Sequence, residues 1–175
     1  TDSPEIQRDL AHILAHDKDD VPAALARARY LRLLDDATGA VRELEPWVKR
    51  APEDVELGLG LSVALHEAGR FPEATELVER LQRREPQNSQ VLWSQFRLRK
   101  ALKQNEQALL TLAELEKQMG PDVVIADERA TILQRLTRYA EAEQILEDLC
   151  RREPANAERY YDLGVSQSLW SARPD

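Results

Sequence analysis

The chain has 175 residues, of which 32 are acidic and 24 are basic, so its formal net charge is −8. Its 42% hydrophobic and 32% charged residues exclude a disordered chain, and its length suits one domain or one short repeat array. The acidic balance argues against a dedicated nucleic-acid binder, and no apolar run reaches the ~18 residues of a membrane helix. The one cysteine, Cys150, excludes an internal disulfide and a cysteine-based zinc site.

The predicted elements along the chain are helices that recur with a period of 34 residues. Four alanines mark this period: Ala40, Ala74, Ala108 and Ala142. Prolines repeat it at Pro52, Pro86 and Pro154, and the skipped copy has Pro121, one residue late. Large apolar residues follow each alanine by four and by seven positions, which places them on one helical stripe. A single pair of short helices buries too little surface to fold alone, so the units are expected to stack.

The segments Gly69-Arg70-Phe71-Pro72-Glu73-Ala74 and Thr137-Arg138-Tyr139-Ala140-Glu141-Ala142, each ahead of a proline, resemble the tetratricopeptide repeat. Leu163-Gly164 matches the Leu-Gly pair of that family. The resemblance implies an all-α solenoid of antiparallel helix pairs, A then B, wound as a right-handed superhelix. Departures from the pattern, such as Arg27 and Arg129 in place of a leucine, predict irregular packing between repeats.

In chain order, the resemblance divides the sequence into four full repeats and two halves within one continuous domain. Residues 1–20 read as helix B of an incomplete repeat, with helix at 3–16, and residues 157–175 read as helix A of another. The full repeats are predicted at 21–54, 55–88, 89–122, which is divergent, and 123–156. We expect a fragment of a longer protein; the alternative is a natural end that a dimer partner covers. End-to-end self-association is a further expectation.

No combination of residues predicts catalysis, a metal site or a cofactor. His12 and His16 share a helical face, but spacing fixes no third ligand, so a solvated helix end is favoured. His66 is expected to be a groove or surface residue, and Cys150 a buried or half-buried inert thiol. Gly58 and Gly60 lie inside a predicted helix, which excludes a phosphate loop. We therefore expect a chain that is not itself an enzyme and binds no cofactor.

What remains is a binding surface, because the resemblance implies that the A helices line a concave groove. Leu59, Val63 and Trp93 are expected to form an apolar patch there, with Arg29, Arg32, Arg97 and Lys100 at its border. The predicted peptide-binding residues are Leu25, Arg29, Leu59, Val63, Trp93, Arg97 and Lys100. This groove fits an extended or helical peptide with acidic groups. In the alternative reading, Trp93 packs between repeats and the arginines pair with nearby acids.

Two functions from different classes follow from the resemblance. The first is a non-catalytic protein–protein interaction scaffold that binds a peptide or protein segment in its groove. The second is a regulatory or substrate-presenting segment of an enzyme, such as a bacterial sulfotransferase, hydroxylase or glycosyltransferase, with the catalytic domain elsewhere. The asparagine of the family's chaperone-tail clamp is absent at its in-phase positions, among them Gly60 and Ser94, which argues against that ligand. A cytoplasmic location is expected, with a periplasmic one as the alternative.

Overall fold

The computed structural model describes residues 20–171, which form nine α-helices and no strand. The helices are α1 Val21–Leu33, α2 Ala37–Arg50, α3 Val55–Glu67, α4 Phe71–Arg84, α5 Ser89–Ala101, α6 Asn105–Met119, α7 Val123–Arg135, α8 Tyr139–Arg152 and α9 Ala157–Ser171. The predicted all-α helix-pair fold is confirmed. The helix predicted at 3–16 lies outside the described residues, and the superhelical handedness stays a prediction.

Side-chain caps begin several of the A helices, which are the odd-numbered ones. The Asp54 carboxylate accepts a hydrogen bond from the Leu57 backbone N–H at 3.0 Å, and Asp122 accepts from the N–H groups of Val124 and Ile125. Asn88 accepts from Val91 in the same way ahead of α5. These bonds satisfy backbone donors that have no partner within the helix. Short polar residues therefore fix where the A helices start.

The turns from helix A to helix B share one backbone conformation. Asp35, Gly69, Lys103 and Thr137 stand one repeat apart and have φ values of 62°, 73°, 57° and 59°. The residue after each returns an N–H to a carbonyl near the end of helix A, as Arg70 does to Leu65 at 2.9 Å. This left-handed C-terminal closure favours glycine, yet only Gly69 supplies one. The fold thus imposes the turn on three residues that do not prefer it.

The phased alanines lie where helix B meets its neighbours. Ala40, Ala74, Ala108 and Ala142 are all fully buried. The large apolar residues four positions later are buried with them: Leu44, Val78, Leu112 and Leu146. Each such side chain contributes on the order of 1.5–3 kcal/mol by leaving water. The late Pro121 has a local cause, because α6 is one residue longer than the other described B helices and is followed by Gly120 with φ 82°.

The chain divides into two compact units, Thr1–Ser94 and Gln95–Asp175. In the first, α1 packs on α2, α2 on α3 and α3 on α4, and α1 also meets α3. In the second, α6 packs on α7, α7 on α8 and α8 on α9. Its core includes Ala130, Leu146 and Leu149, against which Leu163 packs. Helices in both units therefore contact near neighbours in the sequence, as in a solenoid. The single continuous domain and the repeat boundaries stay predictions.

None of the helices within residues 20–171 is both long enough and apolar enough to cross a bilayer.

Candidate functional site

The first residue predicted for the groove, Leu25, is a packing residue. It is only 5% exposed, and a Cβ placed on Gly60 would come within 2.8 Å of its Cδ2 atom. The side chain of Leu25 therefore rests against the backbone of α3, in a space that exists because Gly60 has no side chain. It supports the A helices and offers little surface to a ligand.

Leu59 and Val63 lie one helical turn apart on α3 and are half-buried. Trp93, on the part of α5 that belongs to the first unit, is also half-buried. Half-buried apolar side chains are held in place by their neighbours and still present surface to a partner. These three residues form the apolar part of the predicted site that the first unit carries.

Two cations predicted to border the groove, Arg29 and Arg32, pair with acids of the next A helix. Arg32 donates two hydrogen bonds to Glu67, at 2.5 and 2.6 Å, and this bonding raises the pKa of the Arg32 guanidinium. Arg29 lies 3.8 Å from Glu56, and both side chains are 69% exposed, so that pair is weak. The border of the apolar residues is therefore mixed in charge, in agreement with the alternative reading of the arginines.

The two remaining predicted residues lie in the second unit. Arg97 is exposed, whereas Lys100 is half-buried and donates a hydrogen bond to Glu128 at 2.5 Å. The Lys100 ammonium also lies 5.7 Å from the centre of the Phe96 ring, within range of a cation–π interaction. Lys100 is therefore committed to contacts within its own unit.

The residues that the sequence analysis weighed as catalytic or ligand-binding candidates make packing contacts. The rings of His66 and Phe71 form a T-shaped pair with 5.7 Å between their centres, and Cys150 is buried. Gly58 lies in α3, where a Cβ would come within 2.9 Å of Leu81, so helix packing explains this glycine. Among residues 20–171, no group of three or more His, Cys, Asp or Glu side chains could hold a metal ion. His12 and His16 lie outside the described residues.

Sequence reasoning missed a charged cluster between α7 and α9, formed by Asp127, Glu153, Arg159 and Asp162 and called here the Arg159 cluster. Arg159 is only 8% exposed, and it binds Asp127 at 2.7 Å and Glu153 at 2.9 Å. Burial opposes the charge of Arg159, but the hydrogen bond to Glu153 and the charge of Asp127 outweigh it and raise its pKa.

The pKa values of two carboxyl groups in the Arg159 cluster, Asp162 and Glu153, shift in opposite directions. Burial, followed by the charges of Asp127 and Glu158, raises the pKa of Asp162. Hydrogen bonding by Arg159 lowers the pKa of Glu153. A signal in the sequence could have revealed the cluster, because Arg159 stands three repeat lengths after the apolar Leu57. A charged residue at a position that is buried elsewhere in the array predicts a buried ion pair.

The comparisons with known proteins agree with this architecture. Residues 31–93 match the family model of the tetratricopeptide repeat. MamA MSR-1 superposes with a TM-score of 0.71 at 20% identity, over 85% of this chain and 83% of that one. The MamA RS-1 ArsTM double mutant reaches 0.73 at 14% identity, over 86% and 84%.

YrrB, a TPR protein with an unusual peptide-binding site, superposes with a TM-score of 0.67 at 16% identity, over 94% of this chain and 84% of YrrB. No curated protein matches the sequence. At these identities the superposed structures establish the fold alone. Together with the family match, they confirm the predicted resemblance to the tetratricopeptide repeat.

Proposed function

We propose that this tetratricopeptide-repeat chain is a non-catalytic scaffold that binds a peptide or protein segment on the A-helix face of its first unit. One observation carries the proposal: Leu59 and Val63 are half-buried on α3, between the pair Arg29–Glu56 and the pair Arg32–Glu67. An apolar centre with a polar border is the usual anatomy of a protein-binding surface. The name of YrrB, a TPR protein with a peptide-binding site, supports a peptide as the ligand class.

The mixed border changes the ligand expected from the sequence. Glu56 and Glu67 accompany Arg29 and Arg32, so this face has no excess of positive charge that would select an acidic peptide. Apolar side chains of the ligand would supply most of the affinity, and the paired charges would fix its register. We therefore expect an amphipathic segment with apolar residues toward α3.

Selection from a random peptide library on the wild-type chain, followed by affinity measurements on the selected peptides, tests this proposal. Val63→Glu places a charge in the apolar centre and should weaken binding at least tenfold, a loss of about 1.4 kcal/mol. Trp93→Ala should weaken it by about 2 kcal/mol or more if Trp93 is an anchor. Leu110, which is 70% exposed on the B helix α6, provides the control, because Leu110→Glu should leave the affinity unchanged.

Thermal melting on the same samples separates binding from folding. A folded Val63→Glu protein with full affinity would contradict the proposed face. If Trp93→Ala lowers the melting temperature and reduces binding only in proportion to unfolding, Trp93 is a packing residue, and Leu59 and Val63 remain the anchors.

A further inference from the structure

A second surface in the first unit lies on its B-helix side, away from the residues of the proposed groove. A cavity of about 440 Å³ is lined by Pro52 and Glu53, from the loop after α2, and by Arg80, Leu81, Arg83 and Arg84 of α4. This hollow is open to solvent, so it suits an extended segment that lies across it rather than an enclosed small molecule. Three arginines and one glutamate give its lining an excess of positive charge on a chain whose net charge is −8.

The three arginines are exposed and share one end of the helix. Arg80 and Arg84 lie one helical turn apart, and Arg83 lies between them on the neighbouring ridge. Among residues 20–171, none of the three forms an ion pair with an acidic side chain. This distinguishes them from Arg32, Arg70 and Arg129, which all bind glutamates.

Favourable interaction with the helix dipole explains only part of this arrangement. Arg83 and Arg84 stand in the last turn of α4, where cations stabilise the carbonyl end of a helix. Arg80 stands one turn earlier, beyond the reach of that effect.

Helix α8 of the second unit carries different residues at the repeat positions of Arg80, Arg83 and Arg84. Two repeat lengths after Arg83 and Arg84 stand Arg151 and Arg152, and two repeat lengths after Arg80 stands Asp148. The Asp148 carboxylate pairs with Arg152 at 2.7 Å and with Arg151 at 3.6 Å. The two arginines at the end of α8 therefore share one carboxylate, whereas the three at the end of α4 form no ion pair within the described residues.

We propose that the pocket of Pro52, Glu53, Arg80, Leu81, Arg83 and Arg84 binds an acidic segment of a partner protein, whose carboxylate or phosphate oxygens are held by the three arginines. Arginine suits both groups, because its guanidinium offers two parallel N–H donors to an oxyanion. Pro52 and Leu81 add apolar surface, and the volume exceeds that of one oxyanion, so the ligand includes neighbouring atoms of a peptide. The net charge of −8 disfavours a nucleic acid as the source of the phosphate.

Fluorescence anisotropy with three probes tests the proposal: a labelled octaglutamate peptide, a peptide of the same length with phosphoserines, and inorganic phosphate as a competitor. Octaglutamine serves as the neutral peptide. The wild-type chain should bind the two acidic peptides, more weakly as salt increases, and should not bind octaglutamine. Tighter binding of the phosphopeptide would identify phosphate as the preferred group, and equal binding would identify carboxylates as sufficient.

Two variants with the same change in net charge make the test specific. Arg80→Asp introduces the residue that α8 has at this position and lowers the net charge by two. It should weaken octaglutamate binding about tenfold. The double variant Arg151→Gln, Arg152→Gln also lowers the net charge by two, but it should change the affinity less than about twofold, because Asp148 already pairs with both arginines. Circular dichroism checks that both variants are folded.

Four results would overturn the proposal: no binding of either acidic peptide by the wild-type chain, an unchanged affinity in Arg80→Asp, an equal loss in the two variants, or inorganic phosphate that binds as tightly as the peptides. The proposed groove is tested separately, by the affinity of Val63→Glu for the selected library peptides.

Discussion

The two units fill the same three positions of the repeat with opposite chemistry. In the first unit these positions are Leu25, Leu57 and Gly60, and three repeat lengths later in the second unit they are Asp127, Arg159 and Asp162. Leu25 and Leu57 are buried, and Leu25 rests against Gly60, which has no side chain in its way. Arg159 is buried and joins α9 to Asp127 of α7 through an ion pair.

The same helix arrangement therefore accepts two kinds of contact between successive A helices, one apolar and one charged. The apolar contact requires close approach and tolerates no added atoms. The charged contact requires that Arg159 balance the carboxylates around it. Both proposed binding surfaces lie on the unit with the apolar contact, where Arg29 and Arg32 pair with glutamates and the three arginines of the α4 pocket form no ion pair within the described residues.

Substitution of Gly60 should break the apolar contact with the largest effect. The Cβ of Gly60→Val would come within 2.8 Å of Leu25 and 3.3 Å of Leu44. Overpacking of this kind costs about 1–3 kcal/mol, measured as the free energy of unfolding in urea. Gly164→Ala is the matched control, because a Cβ there meets nothing within 4 Å. This variant should stabilise the chain by about 0.5–1 kcal/mol, since alanine favours the helix more than glycine does. Equal stability of the two variants would show that α1 and α3 separate without cost.

Removal of Arg159 should break the charged contact. Arg159→Leu leaves Asp127, Glu153 and Asp162 without their cation. Loss of one partner from a buried pair costs about 3–5 kcal/mol, but Asp127 and Glu153 are partly exposed, so we expect about 1–2 kcal/mol at pH 7. Urea denaturation at pH 7 measures the loss. A variant as stable as the wild type would mean that solvent alone satisfies these carboxylates.

The two units also differ in one of the turns between helix A and helix B. Thr137 has φ 59°, whereas Gly69 occupies the same turn of the first unit with φ 73°. A β-branched residue is strained in this region, so Thr137→Gly should stabilise the chain by about 0.5–1 kcal/mol, after the larger chain entropy of glycine is counted. The reverse exchange, Gly69→Thr, should lower the melting temperature. A loss of stability in Thr137→Gly would contradict this expectation.

The pH dependence of the Arg159 cluster should give the smallest effect. Because the pKa of Asp162 is raised in the folded chain, the folded state binds more protons than the unfolded state between the ordinary carboxyl pKa and the raised value. Stability falls as pH rises through that interval, and the full penalty is present above it. Asp162→Asn should therefore raise the melting temperature at pH 7 and raise it less at pH 3.

Glu153 provides a control, because its effect on the pH dependence of stability has the opposite sign to that of Asp162. Its pKa is lowered, so its contribution to stability is present above the ordinary carboxyl pKa and is lost as pH falls through the lowered value. Glu153→Gln should lower the melting temperature at pH 7, with a smaller difference in strong acid. A difference independent of pH in both variants would exclude titration as the cause.

The sequence predicted the fold because its signals are local and periodic. The phased alanines are buried in all four B helices, and Asp54 and Asp122 cap helices ahead of apolar stripes. The ion-pair partners of the charged residues in the predicted site could not be predicted in this way. Arg32 binds Glu67 and Lys100 binds Glu128, each a carboxylate on the next A helix, and periodicity within one repeat does not identify such partners. The burial of Leu25 could not be predicted for the same reason, since its side chain rests against Gly60 of the next A helix.

The most direct test of the comparison is to exchange the chemistry of one unit for that of the other. The triple variant Asp127→Leu, Arg159→Leu, Asp162→Gly gives the second unit the residues of the first. Well-packed apolar residues often replace a buried ion pair without loss. The free energy of unfolding of the triple variant, measured at pH 7 and at pH 4, should exceed that of Arg159→Leu by about 1 kcal/mol or more and should depend less on pH than in the wild type. A triple variant no more stable than Arg159→Leu would contradict the claim that the two contacts are interchangeable.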